Sequence, residues 1–85
     1  MKQTNTNDII YKYRTLTGIK NAILKHKKVW ITPDDKHYIY AVLKKNGDVW
    51  INFGLTDETA SLHDAMIRID DFLSFQRSIG LLGGN

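Results

Sequence analysis

The stretch HYIYAVLKKNGDVWINF, residues 37–53, carries the pattern on which the fold turns. Apolar and aromatic residues alternate on both sides of a polar centre, Lys44-Lys45-Asn46-Gly47-Asp48. Asn-Gly tolerates the positive φ angles of a type I′ turn, whose twist matches its flanking strands, so residues 45–48 are expected to form that turn. Two antiparallel strands follow, over 37–44 and 48–53. Upstream, Val29-Trp30-Ile31-Thr32 is a β-branched and aromatic run that reads as a short strand. Pro33-Asp34-Asp35-Lys36 then supplies a turn, Pro33 by presetting φ and the Asp side chains by bonding local backbone N–H groups. The expected sheet has three antiparallel strands.

Helical spacing flanks the strands on both sides. Ile9, Tyr13, Leu16, Ile19, Ile23 and Leu24 recur mostly three and four apart, which predicts a helix from a cap at Asn7 or Asp8 to about Lys27. Gly18 falls within that stripe at a cost of about 1 kcal/mol relative to Ala, so either the helix bends there or a neighbour packs closely against it. After the hairpin, Gly54 ends the third strand, and Thr56 is expected to cap a second helix with Asp57 and Glu58 beside its positive end. Leu62, Ala65, Met66, Ile69, Phe72 and Leu73 form its apolar stripe, and Gly80 or Gly83 ends it. Ile67 and Phe75 fall on its other side, apolar where solvent is expected. The fold class is α+β in the order α-β-β-β-α, a three-stranded antiparallel sheet with two helices packed on it.

The chain holds 85 residues, enough for one domain over 1–85, with an ordered core expected at about 8–82 and short polar tails. With 42% apolar and 25% charged residues it has the composition of a packed globule. There is no cysteine, which excludes a disulfide framework and a thiolate metal site. The longest apolar runs fall far short of the roughly 20 residues that span a bilayer, so no membrane insertion and a cytoplasmic location are expected. Charge is uneven: residues 1–28 carry a net +6 and the remainder −3. That asymmetry points to an anionic partner for the N-terminal element, or to attraction between two parts of one fold.

Strict alternation divides the strand residues between two faces. If Val29, Ile31, Ile39, Ala41, Leu43, Val49, Ile51 and Phe53 point towards the helices, then Trp30, Tyr38, Tyr40, Val42 and Trp50 point away. Four aromatic side chains on one sheet face exceed what a small monomer usually leaves exposed. Either the second helix covers this face, making the rings core, or both helices share the other face and the rings form a recognition surface; a one-residue register slip would exchange the two faces. The candidate partner-binding residues are therefore Trp30, Tyr38, Tyr40 and Trp50, supplemented by Ile67 and Phe75.

A candidate basic patch comprises Arg14, Lys25, Lys27 and Lys28. It suits nucleic acid or an acidic protein, although such a run more often complements the negative end of a helix dipole. His26, His37 and His63 lack metal-ligand spacing. Ser61, His63 and Asp64 name the members of a hydrolase triad, but neighbours on one helix diverge and no nucleophile turn is present. The paired acids Asp34-Asp35 and Asp70-Asp71 read as turn and surface residues, and no glycine-rich phosphate loop lies between a strand and a helix. No catalytic residue, metal or cofactor is expected. The partner expected is a protein, with a homodimer or higher oligomer as a further expectation and nucleic acid as the alternative.

The α-β-β-β-α order over about residues 8–80 resembles the double-stranded-RNA-binding domain. That family grips phosphates with a basic cluster opening its second helix, whereas Thr56-Asp57-Glu58-Thr59 is acidic. In size and in its Lys-, Asn- and Thr-rich, cysteine-free composition, the chain also resembles small accessory proteins of large lytic phages of the T-even type. The resemblance implies a regulator that binds one host or phage protein, a lysis-inhibition antiholin accessory being one candidate.

Overall fold

The computed structural model describes residues 9–33 and 37–79. The fold is α+β, with two helices on a five-stranded mixed sheet whose strands lie side by side in chain order. β1 (Ile9–Lys12) leads into α1 (Leu16–His26), which returns the chain to β2 (Lys28–Thr32), parallel to β1. Parallel neighbours need a long crossover, and α1 supplies it. β3 (Ile39–Leu43), β4 (Val49–Asn52) and β5 (Asp57–Ala60) continue as an antiparallel meander, and α2 (Leu62–Ser78) follows.

The sheet register confirms the division of faces. Val29 pairs with Ala41 and Ala41 with Ile51, while Ile31 pairs with Ile39, so one face presents an unbroken apolar field. Val29, Ile31, Ile39, Ala41, Val49 and Ile51 are fully buried, and Leu43 and Phe53 pack against them. Ile19, Ala22 and Ile23 from α1, with Ala65, Met66, Ile69 and Leu73 from α2, complete the same core. Both helices therefore occupy one side of the sheet.

Three expectations need correction. The first concerns the N-terminal element. Ile9-Ile10-Tyr11-Lys12 is an edge strand of alternating burial, and the helix begins only after Thr15, whose Oγ1 accepts from the Gly18 N–H at 2.9 Å. Ile9 and Tyr13 stand four apart, a spacing common to strand and helix periodicity, so the stripe misled across the boundary. Leu24, assigned to that stripe, is exposed. Gly18 is the site of a close approach rather than a bend: a Cβ there would overlap the Tyr11 hydroxyl and lie 3.3 Å from Tyr11 Cζ. The expected caps at Asn7 and Asp8 lie outside the described residues, as do residues 34–36, Gly80 and Gly83.

The second correction concerns Thr56-Asp57-Glu58. Gly54 adopts φ +103°, its N–H donates to Asn52 Oδ1 at 2.9 Å, and the Phe53 N–H donates to the Thr56 carbonyl at 2.8 Å. This tight reversal sends residues 57–60 back beside β4 as a fifth strand, so they do not start a helix. The cap of α2 is Ser61, whose Oγ accepts from the Asp64 N–H at 3.2 Å. The order is therefore β-α-β-β-β-β-α, which departs from the double-stranded-RNA-binding arrangement at both ends of the sheet.

The third correction is the type of the hairpin turn. Gly47 has φ +93° whereas Asn46 does not enter the positive region. The Gly47 N–H donates to the Lys44 carbonyl at 3.0 Å, and the Lys44 N–H to that of Asp48 at 2.7 Å. This is the three-residue loop in which a β-turn is followed by a left-handed glycine, instead of a type I′ turn. Asn46 Oδ1 accepts from the Asp48 N–H at 3.0 Å, which holds the loop from its side chain.

Candidate functional site

The outer face of the sheet is built by parity. Trp30 pairs with Tyr40 and Tyr40 with Asn52, while Val42 pairs with Trp50, so the outward residues of β2, β3 and β4 fall into register as rows. The rings meet in a chain. Tyr38 packs edge-on to Trp30 at 5.3 Å between centroids, Trp30 lies 4.9 Å from Tyr40, and Tyr40 meets Trp50 edge-on at 6.1 Å. Such contacts contribute about 0.5–1.5 kcal/mol each beyond burial. Tyr38 thus meets Trp30 and not Trp50, because it sits diagonally across from the β2 ring.

Among the described residues, neither helix covers this face. Tyr38 is exposed at 39%, Trp30, Tyr40 and Trp50 are half-buried, and Ile10 of β1 extends the apolar area at 47% exposure. Trp50 Nε1 donates to Asp57 Oδ2 at 2.9 Å across the β4–β5 pair, which satisfies the indole N–H and fixes that ring. β5, absent from the sequence expectation, supplies this carboxylate. β1, equally unforeseen, places Lys12 on the same face as Ile10, and Lys28 opens β2 there in register with Val42. The ring cluster is therefore bordered by ammonium groups towards β1 and by Asp57 towards β5.

The remaining sequence-predicted residues do not join it. Ile67 and Phe75 are exposed at 45% and 59%, as their helical phase implies, but they project from α2 on the other side of the sheet. Ile67 borders an open groove of about 510 Å³ between the two helices, with Leu16, Lys20, Leu62, His63 and Met66. Lys25, Lys27 and Lys28 cluster where α1 ends and β2 begins. Lys27 Nζ donates to the Leu24 carbonyl at 3.0 Å, the helix-end role that a basic run serves. Arg14 precedes α1, so the 11-residue helix separates it from the lysines by about 16 Å at ~1.5 Å per residue. The four cations do not form one patch.

Among the described residues, no group of three or more His, Asp and Glu comes together as a metal site, and no helix is long and apolar enough to cross a membrane. No protein-family model matches the chain, and neither the curated proteins nor the solved structures yield a match.

Proposed function

We propose that this protein is a non-enzymatic cytoplasmic regulator that binds a protein partner through the outer face of its sheet. One observation carries the reading: both helices pack on the other side, leaving Trp30, Tyr38, Tyr40 and Trp50 as a contiguous aromatic surface. Trp and Tyr are the residues that most often anchor interfaces, and rings already held by one another and by Asp57 lose little freedom on docking. With Lys12 and Lys28 beside the rings, the complementary partner offers an apolar centre with an acidic rim. A host or phage effector is the partner class implied by the compositional resemblance, a target of lysis inhibition included.

Size sets the strength of such a complex. Four strand spacings of ~4.8 Å by four to five residues of ~3.3 Å give a face of roughly 300 Å² in projection. A standard interface buries about 800 Å² per partner, so the rings form a centre that the rim must extend, or a transient contact.

The test is Trp30→Ala with Trp50→Ala. These rings take part in all three aromatic contacts, so at an open face their removal costs about 2–4 kcal/mol, against 3–5 kcal/mol apiece for fully buried Trp. Affinity capture from the native cell is expected to lose the partner while circular dichroism stays native. An unfolded double variant, or full capture by a folded one, defeats the reading. Tyr38→Ser, at the most exposed ring, gives a milder version of the same comparison.

Nucleic-acid binding is the second reading, favoured by the two lysines on the ring face. The rings oppose it, since Tyr38 and Trp30, and Tyr40 and Trp50, meet at 82° and 78° and do not present parallel stacking surfaces. Retention of single-stranded oligonucleotides on filters, falling steeply with salt and with loss of Lys28, would establish it in place of protein binding.

A further inference from the structure

We propose that the partner held by the ring face is a second copy of this chain, packed sheet against sheet about a twofold axis parallel to β3. The proposal rests on the reading that this face docks protein, and it names the occupant. Its ground is the distribution of charge. Lys12 and Lys28 stand on the outer face at β1 and β2, Asp57 stands on it at β5, and alternation from Val49 places Asp48 there at the foot of β4. Two cations on one side of β3 thus oppose two carboxylates on the other, with the rings between them. Lys44, at the end of the middle strand, lies in the hairpin loop outside the ring rows, its backbone N–H bonded to the Asp48 carbonyl at 2.7 Å.

Such a face complements itself in one orientation. Rotation about the axis along β3 lays the β1 edge of each copy over the β5 edge of the other, with the sheets ~10 Å apart. Lys28 then comes over β4 beside Trp50 and Asp48 of the second copy, and Lys12 over β5 near its Asp57. Symmetry makes every contact twice. An axis across the strands would instead set β1 on β1 and gather the lysines of both copies at one edge. Tyr40 lies at the centre of the pair, and Trp30 comes over β4 of the second copy. The Trp50 indole N–H is already taken up by Asp57, so that donor is not orphaned when water leaves. A face of roughly 300 Å² in projection is smaller than a standard interface, whose affinities begin at micromolar, so the dimer forms at micromolar or higher concentration.

Sedimentation equilibrium of the full chain from about 5 μM to about 1 mM is expected to pass from one chain mass towards two, with acrylamide quenching of Trp30 and Trp50 falling in parallel. Charge exchange then tests the orientation. K28E and D48K each bring like charges together twice in a symmetric pair, and each should weaken association about tenfold. Their equimolar mixture should recover it to within about threefold of the native chain, because the mixed pair restores both contacts. Where circular dichroism shows that D48K has lost the hairpin, T59K takes its place, at an exposed site on β5 in register with Trp50. Its mixture with K28E should associate about threefold more tightly than either variant alone. A chain still monomeric at about 1 mM, with both indoles quenched, overturns the second copy and leaves the ring face to a different protein. Indoles shielded in the dilute monomer remove both readings. Dimers whose indoles stay quenched, or mixtures no tighter than the single variants, place the contact on another surface and overturn the proposal.

Discussion

Gly18→Ala distinguishes the observed fold from a helix running unbroken from residue 8. Ala is normally the better helix former by about 1 kcal/mol, so in a continuous exposed helix the substitution should stabilise. Here the added methyl would overlap the Tyr11 hydroxyl, and it would also stand 3.1 Å from Thr15 Oγ1 and 3.3 Å from Tyr11 Cζ. Tyr11 is half-buried against the core, so displacing its ring disturbs that packing, and overpacking of this kind costs about 1–3 kcal/mol. The net expectation is a loss of up to about 2 kcal/mol. In a Tyr11→Phe background the overlapping oxygen is gone, and the remaining contacts yield to shifts of a few tenths of an ångström. There Gly18→Ala should be neutral or stabilising, by up to about 1 kcal/mol. Urea denaturation of the four proteins in this double-mutant cycle, followed by circular dichroism, reads the coupling, with unchanged m-values as the control. Stabilisation by Gly18→Ala in the native background with no coupling to Tyr11 would refute the β1–α1 arrangement. In a single helix the two residues would lie seven apart, about 10 Å along the axis, and would not touch.

Two further substitutions test the helix ends. Lys27, the C-cap of α1, holds φ at +69°, a region that disfavours side chains, so Lys27→Gly should be more stable than Lys27→Ala by about 1 kcal/mol in thermal unfolding. Inside a helix the order is the reverse. Ser61→Ala removes the cap of α2 and should cost about 1 kcal/mol in urea, whereas Thr56→Ala, at the cap expected from sequence, should change stability by less than about 0.5 kcal/mol.

What the sequence made legible rested on period, on the β-branched and aromatic run at 29–32 and on the Asn46-Gly47 turn signal. The strands at 28–32, 39–43 and 49–52 and the sorting of their side chains follow from alternation, which is insensitive to where the helices lie. The stripe of α2 and the exposure of Ile67 and Phe75 follow from helical phase in the same way. The two edge strands were hidden for different reasons. β1 shares its apolar spacing with the helix that follows, and only the Thr15 cap marks the boundary. β5 is Asp57-Glu58-Thr59-Ala60, with little intrinsic strand preference and the acids of a helix start, and it pairs because the Gly54 turn delivers it to β4. Charged residues on such an edge also discourage sheet-to-sheet aggregation. The aromatic residues of the candidate site were therefore visible at the outset, but their openness was not, since that rests on where α2 docks. Lys12 and Asp57 became apparent only with the edge strands in place.

Accessibility of the indoles to acrylamide tests most directly whether the ring face is open. Trp30 and Trp50 are the only two tryptophans, and both lie on it, so fluorescence reports this surface alone. In dilute free protein an open face gives emission red-shifted from that of a buried indole and quenching of both residues, with single Trp→Phe variants separating their contributions. Added partner should suppress the quenching, and suppression by raised protein concentration alone would identify the partner as a second copy. Blue-shifted emission resistant to acrylamide in the dilute monomer would place both rings in the interior and contradict binding through the sheet face.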